Sequence, residues 1–291
     1  ATRIVVQRER ERMAFKAASY WDLEGKFALT RDAAEGEPPD FKAKLLEVDG
    51  NRIAQGRDFE QDGSLKGDVI VIDQARAESL VAELTDQPSE VKSVESKPYR
   101  RRPAAPFITS TLQQEAARKL GFTAQRTMQA AQKLYEGVDD TGGLITYMRT
   151  DGLSVSPEGI AQAREVIADR FGPAYVPEQP RYYKTKVKNA QEAHEAIRPT
   201  NLTRHPDSLR LEGDLSRLYE LIWKRMIASQ MESARLDRTT VDVETPDGQT
   251  GLRATGQVVA FDGFIAVYEE GRDDKPKDGE ANGGEANGGD G

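Results

Sequence analysis

The sequence predicts an α+β, multidomain fold in which a β-rich domain is interrupted by an inserted all-α domain. Three observations carry this expectation. Residues 19–75 alternate apolar and polar side chains and include FKAKLLEVDGNRIAQG, a hairpin pattern with Asp49-Gly50 at the turn. From Pro106 to about residue 235 the apolar spacing becomes helical, punctuated by capping and stop residues. After residue 236 strand-like runs return, RTTVDVE and TGLRATGQVVAF, flanking the turn signal Pro246-Asp247-Gly248.

Taken in order, residues 1–14 read as a charged helix in which Ile4, Val5 and Val6 give way to QRERER. The β-rich segment 15–103 begins with the alternating SYWDLEGKFALT, continues through the hairpin, and adds a short strand, KGDVIVID, and a helix, QARAESLVAELTD. Residues 88–106, with the basic run Arg100-Arg101-Arg102 and Pro103, read as a connector. In the helical segment 104–235, Thr109 or Ser110 can cap LQQEAARKL, stopped by Gly121, and Thr123 can cap AQRTMQAAQKLYE, stopped by Gly137. LITYM is short and partly β-branched, so it reads as extended. Ser156-Pro157 opens the helix EGIAQAREVIADRF, and LSRLYELIWKRMIASQM has the apolar spacing of a longer one. Residues 236–270 return to strands, and 271–291, with GEANGG written twice, form an acidic tail expected to be disordered.

Composition excludes several chemistries. The 291 residues contain no cysteine and two histidines, His194 and His205. Disulfides, thiolate nucleophiles and cysteine- or histidine-rich metal sites are therefore out of reach, and a cytoplasmic setting is the default. No apolar run of about 18 residues is present, so no membrane span is expected. The start has no initiator Met and no secretory pattern, and it reads as a piece of a longer protein. Net charge is −8, but residues 101–240 carry a net +4. The middle of the chain is thus its mildly basic part, which matters more for a polyanionic partner than the total does. No phosphate-binding glycine motif occurs, so ATP-driven chemistry has no support.

Two segments and one cap cluster stand out. In LITYMRTDG, residues 144–152, an extended backbone places Tyr147 and Arg149 on one face. A phenol with a reference pKa of about 10 is a weak nucleophile unless its oxyanion is favoured. A guanidinium at that spacing favours it and can hold a phosphate through two parallel hydrogen bonds. Thr150 and Asp151 add a hydroxyl and a carboxylate. The plain alternative is a core or surface aromatic, because many strands contain Tyr-x-Arg. In NAQEAHEAIRPT, residues 189–200, His194 and Arg198 share a face if the segment is helical, and such a pair could grip phosphate oxygens. A capped surface helix ended by Pro199 explains it as well. Thr109, Ser110 and Thr111 sit where helix N–H groups could receive a phosphate, or simply cap a helix.

Read together and in order, PFITSTLQQEAARKLGF, MQAAQKLYEG, LITYMRTDG and NAQEAHEAIRPT closely resemble the type IA bacterial DNA topoisomerase I family, and RLYELIWKRMIASQM is similar to the family's following long helix. The resemblance covers roughly residues 1–270. It implies that Tyr147 attacks a DNA phosphodiester to give a 5′-phosphotyrosine link and a free 3′-OH, relaxing negatively supercoiled DNA without ATP. Arg149 would stabilise the phosphate, and His194, Arg198, Thr150 and Asp151 would lie along the DNA. Met148, where topoisomerase III enzymes usually carry proline, favours the topoisomerase I branch. Residues 1–14 would end the helical DNA-groove domain. Residues 15–103 and 236–270 would form a β-rich arch, and 104–235 the helical domain that carries the tyrosine and swings to open the gate. Mg²⁺ would be held by an N-terminal Toprim domain that this sequence lacks, with no metal bound by the chain itself. The resemblance further implies a monomer, associated with the nucleoid, that does not relax DNA as an isolated fragment. Two departures from the family pattern are the longer VDDTGG join before the tyrosine motif and Gly152, where many relatives have serine. A non-enzymatic nucleic-acid-binding module is the alternative, marked by salt-sensitive binding and no covalent adduct.

Overall fold

The computed structural model describes residues 2–28, 40–138, 142–184 and 194–269. The expected acidic tail and residues 139–141 of the VDDTGG join lie outside the described residues. The chain divides into two compact units, residues 1–99 with 236–258, and residues 100–235 with 259–291.

The first unit opens with α1 (Thr2–Ala14), whose side chains are almost all exposed. Its sheet contains β1 (Glu24–Ala28), β2 (Asp40–Val48), β3 (Asn51–Arg52), β4 (Glu90–Arg101), β5 (Ala234–Glu244) and β6 (Thr250–Phe261). The strand order is β1-β2-β6-β5-β4, with β3 paired to β2. Asp49 and Gly50 join β2 to β3 with φ of 51° and 73°, the doubly left-handed turn that the Asp-Gly pair predicts. Along β2 the buried residues are Ala43, Leu45 and then Val48. The alternation slips because the register with β6 shifts between Leu45 and Glu47, so one extra residue restores the apolar face. These side chains pack with Leu252 against Ala77 and Leu80 of α2 (Gln74–Leu84), which Asp73 caps by accepting from Arg76 N–H at 2.8 Å.

Two expectations fail in this unit. Residues 88–106 are not a plain connector, since Glu90–Arg101 forms β4, an edge strand exposed along nearly its whole length. Its lysines, glutamates and Pro98 suit an edge that must not pair with other chains, and they hide the alternation by which a strand is recognised. KGDVIVID is not a strand; only Ile70 bridges, in parallel, to Ile53.

The second unit is built from α3 (Thr109–Leu120), α4 (Ala124–Glu136), α5 (Pro157–Phe171) and α6 (Gly213–Gln230). Thr123 caps α4 by accepting from Arg126 N–H, and Ser156 caps α5 by accepting from Gly159 N–H. Helix α6 is buried nearly all round over its second half and packs against α3, α4 and α5, which marks it as the central element. Trp223 donates Nε1–H to Leu202 O at 2.9 Å and Tyr219 donates to Arg204 O at 2.8 Å, so the polar tips of its large side chains are satisfied inside the core. The residues after β6 return to this unit, where Tyr268 and Phe107 meet edge to face with ring centroids 6.4 Å apart.

Candidate active site

The segment Leu144–Gly152 is held from below and open above. Leu144, Ile145 and Met148 are buried, while Tyr147 is half-buried and Arg149 exposed. This order does not alternate, and the expected strand is absent. Ile145 alone forms a bridge, to Pro199, and bends follow at Thr146, Met148 and Arg149. An extended ladder sharing one face is replaced by an irregular loop pinned at several points.

The pins are threonines. Thr109, the first residue of α3, shares its hydroxyl proton between Met148 O at 2.8 Å and Thr150 O at 3.0 Å, and accepts from Thr150 N–H at 2.9 Å. Its own N–H also bonds Thr150 O. Thr146 donates to Ala196 O at 2.7 Å and accepts from Arg198 N–H at 3.0 Å, tying the loop to residues 196–198. Thr150 is 8 % exposed, and its hydroxyl accepts Gly152 N–H at 3.0 Å. Thr109 therefore spends its hydroxyl on the loop and not on capping α3, and Thr150 accepts within the loop. At the start of α3, Thr111 takes the N–H of Ile108 at 3.0 Å.

Above these pins, the Tyr147 ring lies between two others. Tyr135, from the last turn of α4, meets it edge-on at 5.3 Å, and the exposed His194 lies tilted at 5.1 Å. The sequence reasoning missed Tyr135. The only available signal was its place in the KLYEG run just before the tyrosine loop. No hydrogen bond to the Tyr147 oxygen occurs among the described residues, and the phenol is thus free for a ligand. Arg149 leaves the loop toward α4, where it lines a groove of about 670 Å³ with Gln125, Met128, Gln129 and Lys133.

His194 and Arg198 do not share a helix face. Residues 194–200 are irregular, with bridges from Ile197 to Phe107 and from Pro199 to Ile145. The i, i+4 argument required a helix, and Pro199 together with these bridges enforces an extended path. Arg198 turns inward with only 11 % of its side chain exposed, donating to Glu195 at 2.7 Å, Pro199 O at 3.0 Å and Ser156 Oγ at 3.3 Å. Asp151 is exposed at the loop's end. Gly152 has a steric reason to be glycine here: a Cβ would lie 2.3 Å from His194 O, closer than side-chain carbons approach.

Two other tyrosines of the same unit provide a contrast. Tyr183 donates to Ser229 O at 2.8 Å, and desolvation pushes its pKa up to about 12. Burial likewise pushes Tyr219 up to about 12. Both are committed as neutral donors. Among the described residues no three His, Cys, Asp or Glu side chains come together where they could hold a metal ion. No helix of these residues is long and apolar enough to cross a membrane.

Comparison with known proteins gives a consistent answer. A family model described as DNA topoisomerase matches residues 1–287. DNA topoisomerase 1 of Streptomyces coelicolor is 51% identical over 279 residues, a match covering 94% of this chain and 29% of that protein. DNA topoisomerase 1 of Rickettsia felis is 45% identical over 283 residues, covering 96% and 34%. The structure of full-length topoisomerase I from Thermotoga maritima matches with a TM-score of 0.67 at 32% identity, over 94% of this chain and 40% of that one. The chain spans about a third of the length of the curated relatives it matches.

Proposed function

Since the chain belongs to the bacterial DNA topoisomerase I family, we propose that it carries the tyrosine half of a type IA strand-cleavage site. The observation that supports this most is Tyr147 itself. Its phenol oxygen is unpartnered among the described residues, on a loop whose backbone is pinned by Thr109 and Thr146. In the full-length protein, Tyr147 Oη attacks a phosphodiester of single-stranded DNA. The Oη–P bond forms as the P–O3′ bond breaks; the phenol releases its proton and the departing 3′-oxygen takes one up. A 5′-phosphotyrosine and a free 3′-OH result. The other strand passes through the gap, and the reverse transfer reseals it. One phosphoester is exchanged for another, so ATP is not needed.

Arg149 supplies charge to the non-bridging phosphate oxygens, where a guanidinium stabilises the transition state. The position of His194, exposed beside the Tyr147 ring, supports a role as a hydrogen-bond donor to the same phosphate. Asp151 is proposed to flank the bound strand. The geometry supports Thr150 and Arg198 as residues that position the loop, by the bonds described above. The Mg²⁺ that the family resemblance implies is proposed to be held outside these residues, and no step above runs through it. We further propose that the protein acts as a monomer, with residues 15–103 and 236–270 as the arch and 104–235 as the moving tyrosine domain. The 291-residue chain alone is expected to leave supercoiled plasmid unrelaxed.

The test is covalent trapping on single-stranded DNA. Full-length protein with Tyr147→Phe should give no adduct above background. An adduct of parental yield would overturn the assignment. Salt-sensitive binding with no adduct even in the parent protein would indicate a non-enzymatic binding module instead.

A further inference from the structure

Helix α4 carries a polar face that leads away from the Tyr147 loop. Gln125, Gln129 and Lys133 are exposed on it, and Met128 and Gln132 are half-buried beneath. Spacings of three and four residues put all five on one side. With Arg149 they line the groove of about 670 Å³. We propose that this groove holds the first nucleotides on the 3′ side of the cleaved bond, the part of the strand that a 5′-phosphotyrosine leaves tethered to this unit. The inference rests on the reading of Tyr147 as the nucleophile.

Continuity is the first argument. Arg149, two residues beyond Tyr147, forms part of the groove wall, and Tyr135 at the far end of α4 touches the Tyr147 ring at 5.3 Å. A strand bonded to Tyr147 therefore enters the groove without crossing another element of the unit.

The lining chemistry is the second argument. Each glutamine amide offers two donors and one acceptor, a set suited to base edges. The Gln125 and Gln129 amides have no partner among the described residues. Met128 gives an apolar floor for a base face, and Lys133 and Arg149 give two positive charges for phosphates. The single carboxylate of the groove, Glu136, already accepts from Gln132 Nε2 at 2.5 Å. Apart from Met128, such a lining lacks the aromatic and aliphatic anchors that a protein partner would need.

Length agrees as well. From Gln125 to Glu136 the helix rises ~16 Å. That matches about two to five nucleotides, at 3.4 Å each when stacked and up to roughly twice that when extended. Holding these bases would restrain a strand otherwise attached through a single phosphoester while the gate is open.

The experiment measures adduct yield in the full-length protein. Oligonucleotides share one sequence up to the cleaved bond and carry one or four nucleotides beyond it. The parent protein should give at least about threefold more adduct with four than with one, at an effect size typical of one or two stacked or hydrogen-bonded bases. The triple substitution Gln125→Ala, Gln129→Ala, Gln132→Ala should remove most of that gain, and Lys133→Glu should reduce it. Circular dichroism verifies that each variant remains helical. Equal yields from the two lengths in the parent, or an undiminished gain in both variants, would overturn the inference. Failure of the underlying cleavage reading shows separately, as an adduct that survives Tyr147→Phe.

Discussion

Tyr147 and Tyr268 carry the same phenol within one helical unit, and their surroundings assign them opposite work. Tyr268 is 5 % exposed and donates to Glu115 Oε2 at 2.5 Å, with Arg225 Nη1 3.3 Å from its oxygen. Burial, and then the bond to Glu115, push its pKa upward, because a phenolate there would sit unsolvated beside a carboxylate. The Arg225 guanidinium is itself held by Ala105 O at 2.6 Å and lies over the Phe107 and Tyr268 rings. This tyrosine is a fastener. Tyr147 is half-exposed, flanked by two rings and unbonded at oxygen among the described residues, while the loop on either side of it is tied at Thr146, Met148 O and Thr150. Fixing the loop through main-chain and threonine contacts leaves the phenol available, and that division of labour distinguishes a reactive tyrosine from a structural one.

The pins give the most severe way to break this contrast without touching the phenol. Thr109→Val keeps the side-chain shape and the backbone bond to Thr150 O but removes the hydroxyl's bonds to Met148 and Thr150. We predict a fall in cleavage on the order of 10²-fold, the scale that a misplacement of about 1 Å can cost. Thr109→Ser, which keeps the hydroxyl, should recover most of it in the same trapping assay.

At the fastener the effect should fall on stability instead. Tyr268→Phe leaves the buried Glu115 carboxylate without that donor, so urea unfolding should show a loss of about 1–3 kcal/mol. Cleavage per folded molecule in the full-length protein should be unchanged. A cleavage defect without a stability defect would dissolve the distinction between the two tyrosines.

Sequence alone resolved these two environments unequally. Helix limits were legible where one residue decides them, as at Thr123 and Ser156. Tyr147 and Arg149 stood out through ordered motifs, not through spacing, because the loop is irregular and its pins come from residues 109 and 196–198 far along the chain. The His194–Arg198 pairing failed for a related reason: periodicity says nothing until the backbone is known to be helical. Strand β4 was missed because a charged edge strand carries no alternation. Tyr268 gave no signal at all, since the burial of its ring depends on a segment returning from 153 residues away to meet Glu115.

The smallest effect expected is on pH. His205 lies edge-on to Trp223 at 4.7 Å, and desolvation, helped by Arg170, lowers its pKa below the ordinary 6.5 while Asp207 and Glu220 oppose this and Lys224 adds to the lowering. The unfolded chain then binds the proton more readily than the folded one. Stability should be complete above about pH 6.5 and decline as pH falls from there toward the lower folded value. His205→Gln should flatten that slope in urea titrations between pH 5 and 7.

The most direct measurement is to find which oxygen carries the DNA. Trypsin cutting after Lys133 and Arg149 releases residues 134–149, a peptide that contains both Tyr135 and Tyr147. Mass spectrometry of this peptide from the trapped full-length protein should place the nucleotide on Tyr147, with Tyr135 unmodified. A nucleotide on Tyr135, or on any other peptide of the protein, would contradict the assignment of Tyr147 as the attacking group.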